Sequence, residues 1–166
     1  MTRKILTAAA ALLCVALIIF IFSNSLDSAK ESTEKSDAVY ETVNHVAQWL
    51  GMKKEITRSF IRQSAHFLEF TALGAAASLT LVFALAPDPR KRLNSRLALS
   101  ALSVPFCALI ALTDEYIQTF SVGRVFDVVD ILTDTSGSVA GSVLTVSVYL
   151  LICLICSRRR RSASAD

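Results

Sequence analysis

From Ile5 to Phe22 the chain runs for 18 residues without a charged side chain. A helix that crosses the hydrocarbon core of a bilayer needs about 20 mainly apolar residues. Every backbone N–H and C=O in that core must be satisfied within the helix itself, so such a run constrains the fold strongly. Three further stretches reach comparable lengths. Ser64 to Ala86 gives 23 residues interrupted only by His66 and Glu69, and Leu97 to Gln118 gives 22 with Asp114 and Glu115 near its end. Val128 to Cys156 gives 29, with Asp130 and Asp134 near its start. The predicted fold class is therefore all-α: a polytopic membrane protein forming one domain over residues 1–166, with four transmembrane helices at 5–22, 64–86, 97–118 and 128–156. Composition agrees, with 53% hydrophobic and 19% charged residues, the latter below the roughly 25% of an average soluble domain. The same numbers exclude a disordered chain, and five Gly with three Pro exclude a collagen-like repeat. The first span has the charged start of a signal peptide and a small-x-small site at Ser23-Asn24-Ser25. Its apolar run is longer than a signal core, so it is expected to stay as a membrane helix.

Lys and Arg in the short flanks set orientation. Arg3 and Lys4 precede the first span; Arg90, Lys91, Arg92 and Arg96 lie between the second and third; Arg158 to Arg161 follow the fourth. These ten basic residues face only Asp88 and Asp166, whereas the remaining segments hold seven basic and twelve acidic residues. The basic side is expected to be cytoplasmic, giving an N-in/C-in topology. The formal net charge of +3 divides into +8 on that side and −5 elsewhere. The Arg run reads as a topology anchor beside anionic membrane lipid, and no nucleic-acid partner is expected. Cys153-x-x-Cys156 has the spacing of half a zinc site or a redox pair. No second pair accompanies it, so these and Cys14 and Cys107 read as small apolar residues of membrane helices. Disulfides are not expected.

Residues 23–63 form the one sizeable outer loop, with six acidic and six basic side chains. Ser23 to Ser36 is Ser-rich and charged without an apolar period, which predicts a flexible loop. Beyond it Tyr40, Val43, Ala47 and Leu50 recur at helical spacing, predicting a short amphipathic helix at about 37–50, capped by Ser36 and ended by Gly51. It would either lie on the outer face with Trp49 at headgroup level or pack over the mouth of the bundle. His45 on that helix reads as a solvated surface residue.

Ionisable groups inside spans are rare and expensive. Counting about 20 residues from each cytoplasmic boundary puts the outer hydrocarbon edge near Phe67, Tyr116 and Gly137. Three separate helices thus bring His66, Glu69, Asp114, Glu115 and Asp134 to the same depth. Arg62, His66 and Glu69 share one helical stripe, as do Asp114 and Gln118. Asp127, Asp130 and Asp134 continue into Gly137-x-x-x-Gly141, a small-residue spacing that permits close helix packing in lipid. Arg124 sits in the short connection beside them. Six acids face two Arg, so several carboxylates must be protonated or hydrated, or a cation must complete the site.

The stretch Arg62-Gln63-Ser64-Ala65-His66-Phe67-Leu68-Glu69-Phe70, followed by Leu73-Gly74, resembles the first signature of VanZ-like membrane proteins. Asp114-Glu115-x-x-Gln118, then Gly123-Arg124-x-x-Asp127-x-x-Asp130 and Gly137-x-x-x-Gly141, resembles the second, and Phe22-Ser23-Asn24-Ser25 is also similar. One departure is visible: Asp134 stands where the family usually carries Asn, which adds a negative charge. The resemblance implies a multi-pass protein of the bacterial cytoplasmic membrane with a cell-envelope role. Through the family's namesake it implies lowered susceptibility to the glycopeptide teicoplanin.

Three functional readings remain open from the residues. The candidate cluster of Arg62, His66, Glu69, Asp114, Glu115, Gln118, Arg124, Asp127, Asp130 and Asp134 can be a structural polar network that fixes the bundle's register. It can be the acid–base site of an enzyme acting on a lipid-linked or cell-wall substrate, with a divalent cation held by His66, Glu69, Asp114 and Asp130. Or it can be a non-catalytic binding or transport module for an envelope lipid, a cell-wall precursor or a glycopeptide. The oligomeric state is left open.

Overall fold

The computed structural model describes residues 2–52, 55–84 and 100–162. Within them the chain is all-helical: α1 Thr2–Ser25, α2 Ala29–Trp49, α3 Arg58–Ala84, α4 Ser103–Gln118 and α5 Val128–Ser162. Three of these, α1, α3 and α5, are long and apolar enough to cross a membrane. Of the fourth expected span, 97–118, the described residues show the 16-residue helix α4, which is not among the helices long enough to cross. Its predicted first residues and the basic loop before it, with Arg90 to Arg96, lie outside the described residues.

Small residues hold the bundle together. A Cβ added at Gly137 would collide with the carbonyl of Phe67, one at Gly141 with the carbonyl of Thr71, and one at Gly74 with the backbone of Ser138. The backbones of α3 and α5 therefore touch, as the Gly137-x-x-x-Gly141 spacing predicts. The contact pairs advance together along both helices, so α3 and α5 run parallel. Hydroxyls stitch the seam further: Ser142 donates to the Gly74 carbonyl at 3.3 Å and Thr145 to that of Ala75 at 3.3 Å. The same Ser142 hydroxyl lies 2.9 Å from that of Ser103 of α4, joining a third helix to the seam. Ile21, Phe70, Leu73, Ala77, Cys107 and Ala111 form the buried apolar cluster, with Cys14 against it.

α1 runs antiparallel to α3. At its start Arg3 caps the last turn of α3, donating from Nε to the Phe83 carbonyl at 2.7 Å and from Nη2 to that of Ala84 at 3.0 Å. At its other end Asn24 and Ser25 reach α3 and α4.

The segment between α1 and α3 departs from expectation. Instead of a flexible loop up to Ser36 and a helix of about 37–50, α2 begins at Ala29. Its cap is Ser28, not Ser36: the Ser28 side chain accepts from Glu31 N while Glu31 Oε2 accepts from Ser28 N at 2.9 Å. That reciprocal capping box satisfies two orphan donors and starts the helix ahead of any apolar period. Gly51 ends it as expected. With φ at 82°, it lets Gly51 N reach Gln48 O and Met52 N reach Ala47 O, a Schellman closure. Asn44 then ties α2 to the approach to α3, its Oδ1 accepting from Ile56 N at 2.8 Å and its Nδ2 donating to Ile56 O at 3.1 Å. Arg58 adds an ion pair with Asp37 and stacks over the Tyr40 ring at 4.5 Å. Val39 and Val43 of α2 line the same cavity as His66 of α3. His45 is exposed, as expected.

Candidate functional site

The end of the bundle opposite Arg3 gathers the polar residues that α3, α4 and α5 carry at matching depths. Asp114, fully buried on α4, is their hub. Its Oδ1 accepts the Ser25 hydroxyl at 2.5 Å and its Oδ2 accepts the Gln118 side-chain N–H at 2.9 Å. Gln118 Oε1 accepts in turn from Arg124 Nη1 at 2.9 Å. Ser25 therefore links the end of α1 to a carboxylate of α4. Ser121 holds the α4–α5 connection onto the same place by donating to the Ser25 carbonyl at 2.9 Å.

Facing this chain are His66 and Asp134. Their nearest atoms, His66 Nδ1 and Asp134 Oδ1, are 3.9 Å apart. That is beyond hydrogen-bond reach, and neither atom has another partner. Asp134 is 2% exposed, and its Oδ1 faces that gap away from the protein surface. One ligand atom each from His66, Asp114 and Asp134 lie within 4.8 Å of one another. The Gly137–Phe67 contact sets this juxtaposition, because it places the turn of α5 bearing Asp134 beside the turn of α3 bearing His66.

The other expected residues divide among separate tasks. Glu69 Oε1 accepts from Asn24 at 3.2 Å, leaving Oε2 buried and unpartnered. Glu115 Oε1 accepts the Asp127 backbone N–H at 2.5 Å. Asp127 is exposed and caps α5 through Val129 N at 2.8 Å, a structural task that its sequence stripe did not reveal. Arg62 approaches Asp130 only at 4.0 Å with its side chain 46% exposed, so the pair contributes little stability. His66 makes no hydrogen bond to Glu69 or Asp114. Arg124 donates to the Gln118 amide oxygen and not to a carboxylate. Among the described residues no carboxylate lies within 4.0 Å of its guanidinium, and its Nε is buried without a partner. Burial, and after it the repulsion of Arg62, lowers the pKa of Arg124 from its ordinary value. Asn24 and Ser25 are cluster members that the sequence presented only within the Phe22–Ser25 motif. Their place directly after an apolar run, level with the acids of the cluster, was the available signal.

Beside the cluster lies a cavity of about 410 Å³ under α2. Val39, Val43, Ile56, Phe60, Ile61 and Leu68 line it with apolar surface, while Lys35, Arg62, Arg124, His66, Glu69 and Asp27 bring ionisable groups to it. Lys35 is already paired with Asp27 at 2.6 Å.

The profile of the VanZ/LLP1 family matches residues 10–153, nearly the whole chain. The chain belongs to the VanZ/LLP1 family. No curated protein and no solved structure matches it. The VanZ/LLP1 match includes all ten residues of the candidate cluster, Asn24 and Ser25, and the whole of α2. In this VanZ/LLP1 chain the buried carboxylates Asp114, Glu115, Asp130 and Asp134 outnumber the guanidinium groups near them. Uncompensated buried charge is costly, so the arrangement favours taking up a cation or protons at its centre.

Proposed function

We propose that this VanZ/LLP1 protein sits in the bacterial cytoplasmic membrane with four spans and both termini inside, and binds an anionic envelope amphiphile at the outer leaflet. The molecule would place its apolar part against Val39, Val43, Phe60 and Leu68 and its acidic end against Arg62 and Arg124. The observation that carries this reading is that the cavity beside α2 is lined both by apolar side chains and by two guanidinium groups, one of them, Arg124, with no carboxylate partner among the described residues. Guanidinium suits phosphate and carboxylate through its fork of donors. The topology is supported by the distribution of basic residues, and the fourth crossing by the apolar run of 97–118 that ends in α4. A lipid-linked cell-wall precursor has the required chemistry, and its sequestration at this site would lower susceptibility to a glycopeptide such as teicoplanin.

The test compares teicoplanin and other envelope antibiotics on a deletion strain carrying wild type, His66→Ala, Arg124→Ala or an empty vector. Wild type is expected to restore reduced susceptibility, and both variants to fail at equal membrane abundance. Equal susceptibility of all four strains would remove the envelope reading. A second reading, chemistry on the bound molecule, is favoured by the unpartnered His66 and Asp134 atoms facing each other across 3.9 Å. Imidazole beside carboxylate is a general acid–base pair. Mass spectrometry of lipid-linked precursor incubated with purified protein separates the readings: unaltered precursor leaves binding alone.

A further inference from the structure

We infer that His66, Asp114 and Asp134 form a binding site for one divalent first-row transition ion of the Zn²⁺ or Mn²⁺ type. The inference does not depend on what the neighbouring cavity takes.

Three helices contribute one donor each, and the three donor atoms lie within 4.8 Å of one another. Metal bonds to imidazole nitrogen and carboxylate oxygen are about 2.0–2.2 Å long, so two donors on one ion stand up to about 4.3 Å apart, and a pair at the 4.8 Å limit would draw in by about half an ångström on binding. The 3.9 Å between His66 Nδ1 and Asp134 Oδ1 is too long for a hydrogen bond and suited to a shared ion. The independent observation is Asp134 itself. Its side chain is 2% exposed and its Oδ1 has no donor, yet it faces an equally unpartnered ring nitrogen. A carboxylate left this way is destabilising unless something positive sits in the gap.

Asp114 is already presented as a ligating carboxylate usually is. Ser25 and Gln118 hold one oxygen each, fixing its plane while leaving a second lone pair on both. Glu69 and Asp130 lie outside this group of three: Glu69 Oε1 takes Asn24, and Asp130 faces Arg62. One imidazole with two carboxylates is a mixed set that favours a transition ion over Mg²⁺ or Ca²⁺, which take oxygen alone. Two carboxylates also neutralise a dication, which offsets the local excess of negative charge. Three protein donors leave at least one coordination position open.

The ordinary alternative is a water molecule bridging His66 and Asp134. Tag-free, full-length protein in detergent is stripped with chelator, incubated with Zn²⁺ or Mn²⁺, desalted and assayed for metal by mass spectrometry. Wild type is expected to retain about one ion per chain, with a raised melting temperature. His66→Gln and Asp134→Asn should each weaken retention at least about tenfold, while Glu69→Gln binds like wild type. Co²⁺ loading of wild type, read by visible absorption for a nitrogen–oxygen ligand set, gives a result that needs no variant to fold. Failure of wild type to retain an ion would overturn the inference. So would equal retention by wild type, His66→Gln and Asp134→Asn.

Discussion

The α3–α5 seam and the polar end of the same two helices are neighbours along the axis and are built on opposite principles. In the seam, Gly74, Gly137 and Gly141 remove side chains altogether so that backbones meet, and serine and threonine hydroxyls find carbonyls across the contact. One turn away, the same helices present His66 and Asp134, whose facing atoms leave a gap of 3.9 Å. The first region has no room for a ligand. The second has more buried polar atoms than its own partners satisfy. Close packing below holds the unsatisfied groups above in place, since a cluster that would otherwise relax by sliding is anchored by backbone contact.

The comparison breaks most visibly at its packed half. Gly141→Leu should cost about 3 kcal/mol or more, because the added side chain meets backbone that no rotamer change can avoid. Loss of the monodisperse peak on gel filtration is the expected readout, and a well-folded variant would show that the seam is not the anchor. Asp114→Ala comes next, at about 2 kcal/mol, since it strands the Gln118 amide in a buried place and leaves the Ser25 hydroxyl only the Ile21 carbonyl. Its melting temperature should fall further than that of His66→Ala, whose Nδ1 loses no hydrogen bond.

Asp134→Asn sharpens the contrast because its sign is reversed. In metal-free protein near neutral pH it should stabilise by about 1 kcal/mol, by removing a buried charge that lacks a partner. A lower melting temperature for Asp134→Asn would mean that the carboxylate is satisfied by the fold alone. The smallest effect lies on α2. Ser28→Ala should cost about 1 kcal/mol or less and be confined to faster amide exchange in the first turn of that helix. The Ser28 backbone N–H, then its hydroxyl, holds the Glu31 carboxyl below its ordinary range. That contribution is present above the ordinary carboxyl range and is lost as pH falls through the lowered value. Acid should therefore release the start of α2 in wild type, and less so in Ser28→Ala.

Much of this was legible residue by residue. Runs without charge marked the helices, and Gly137-x-x-x-Gly141 marked the face of α5 that meets another helix. The depth at which His66, Asp114 and Asp134 enter their spans marked a common level. The first half of α2 was misread because Ala29 to Ser36 has no apolar period; the helix there rests on the Ser28–Glu31 box and on local pairs such as Lys30–Glu34 at 3.9 Å. The box was in the sequence as Ser-x-x-Glu, a signal that composition outweighed. Asp127 was grouped with Asp130 and Asp134 by spacing, although its position just before Val128 makes it a cap.

By itself the sequence determined the three segments that form helices long and apolar enough for a bilayer, where the basic charge lies along the chain, and which residues share a stripe on one helix. Those properties depend on neighbours three or four positions away, and local spacing expresses them fully. Only the tertiary structure decided that Asp134 rather than Glu69 faces His66, that Arg124 takes an amide in place of a carboxylate, and that α2 covers the cavity beside them. Each depends on the rotation and register of one helix against another. Here that register is set where glycine lets the two backbones touch, a contact between residues about 70 positions apart that no local pattern contains.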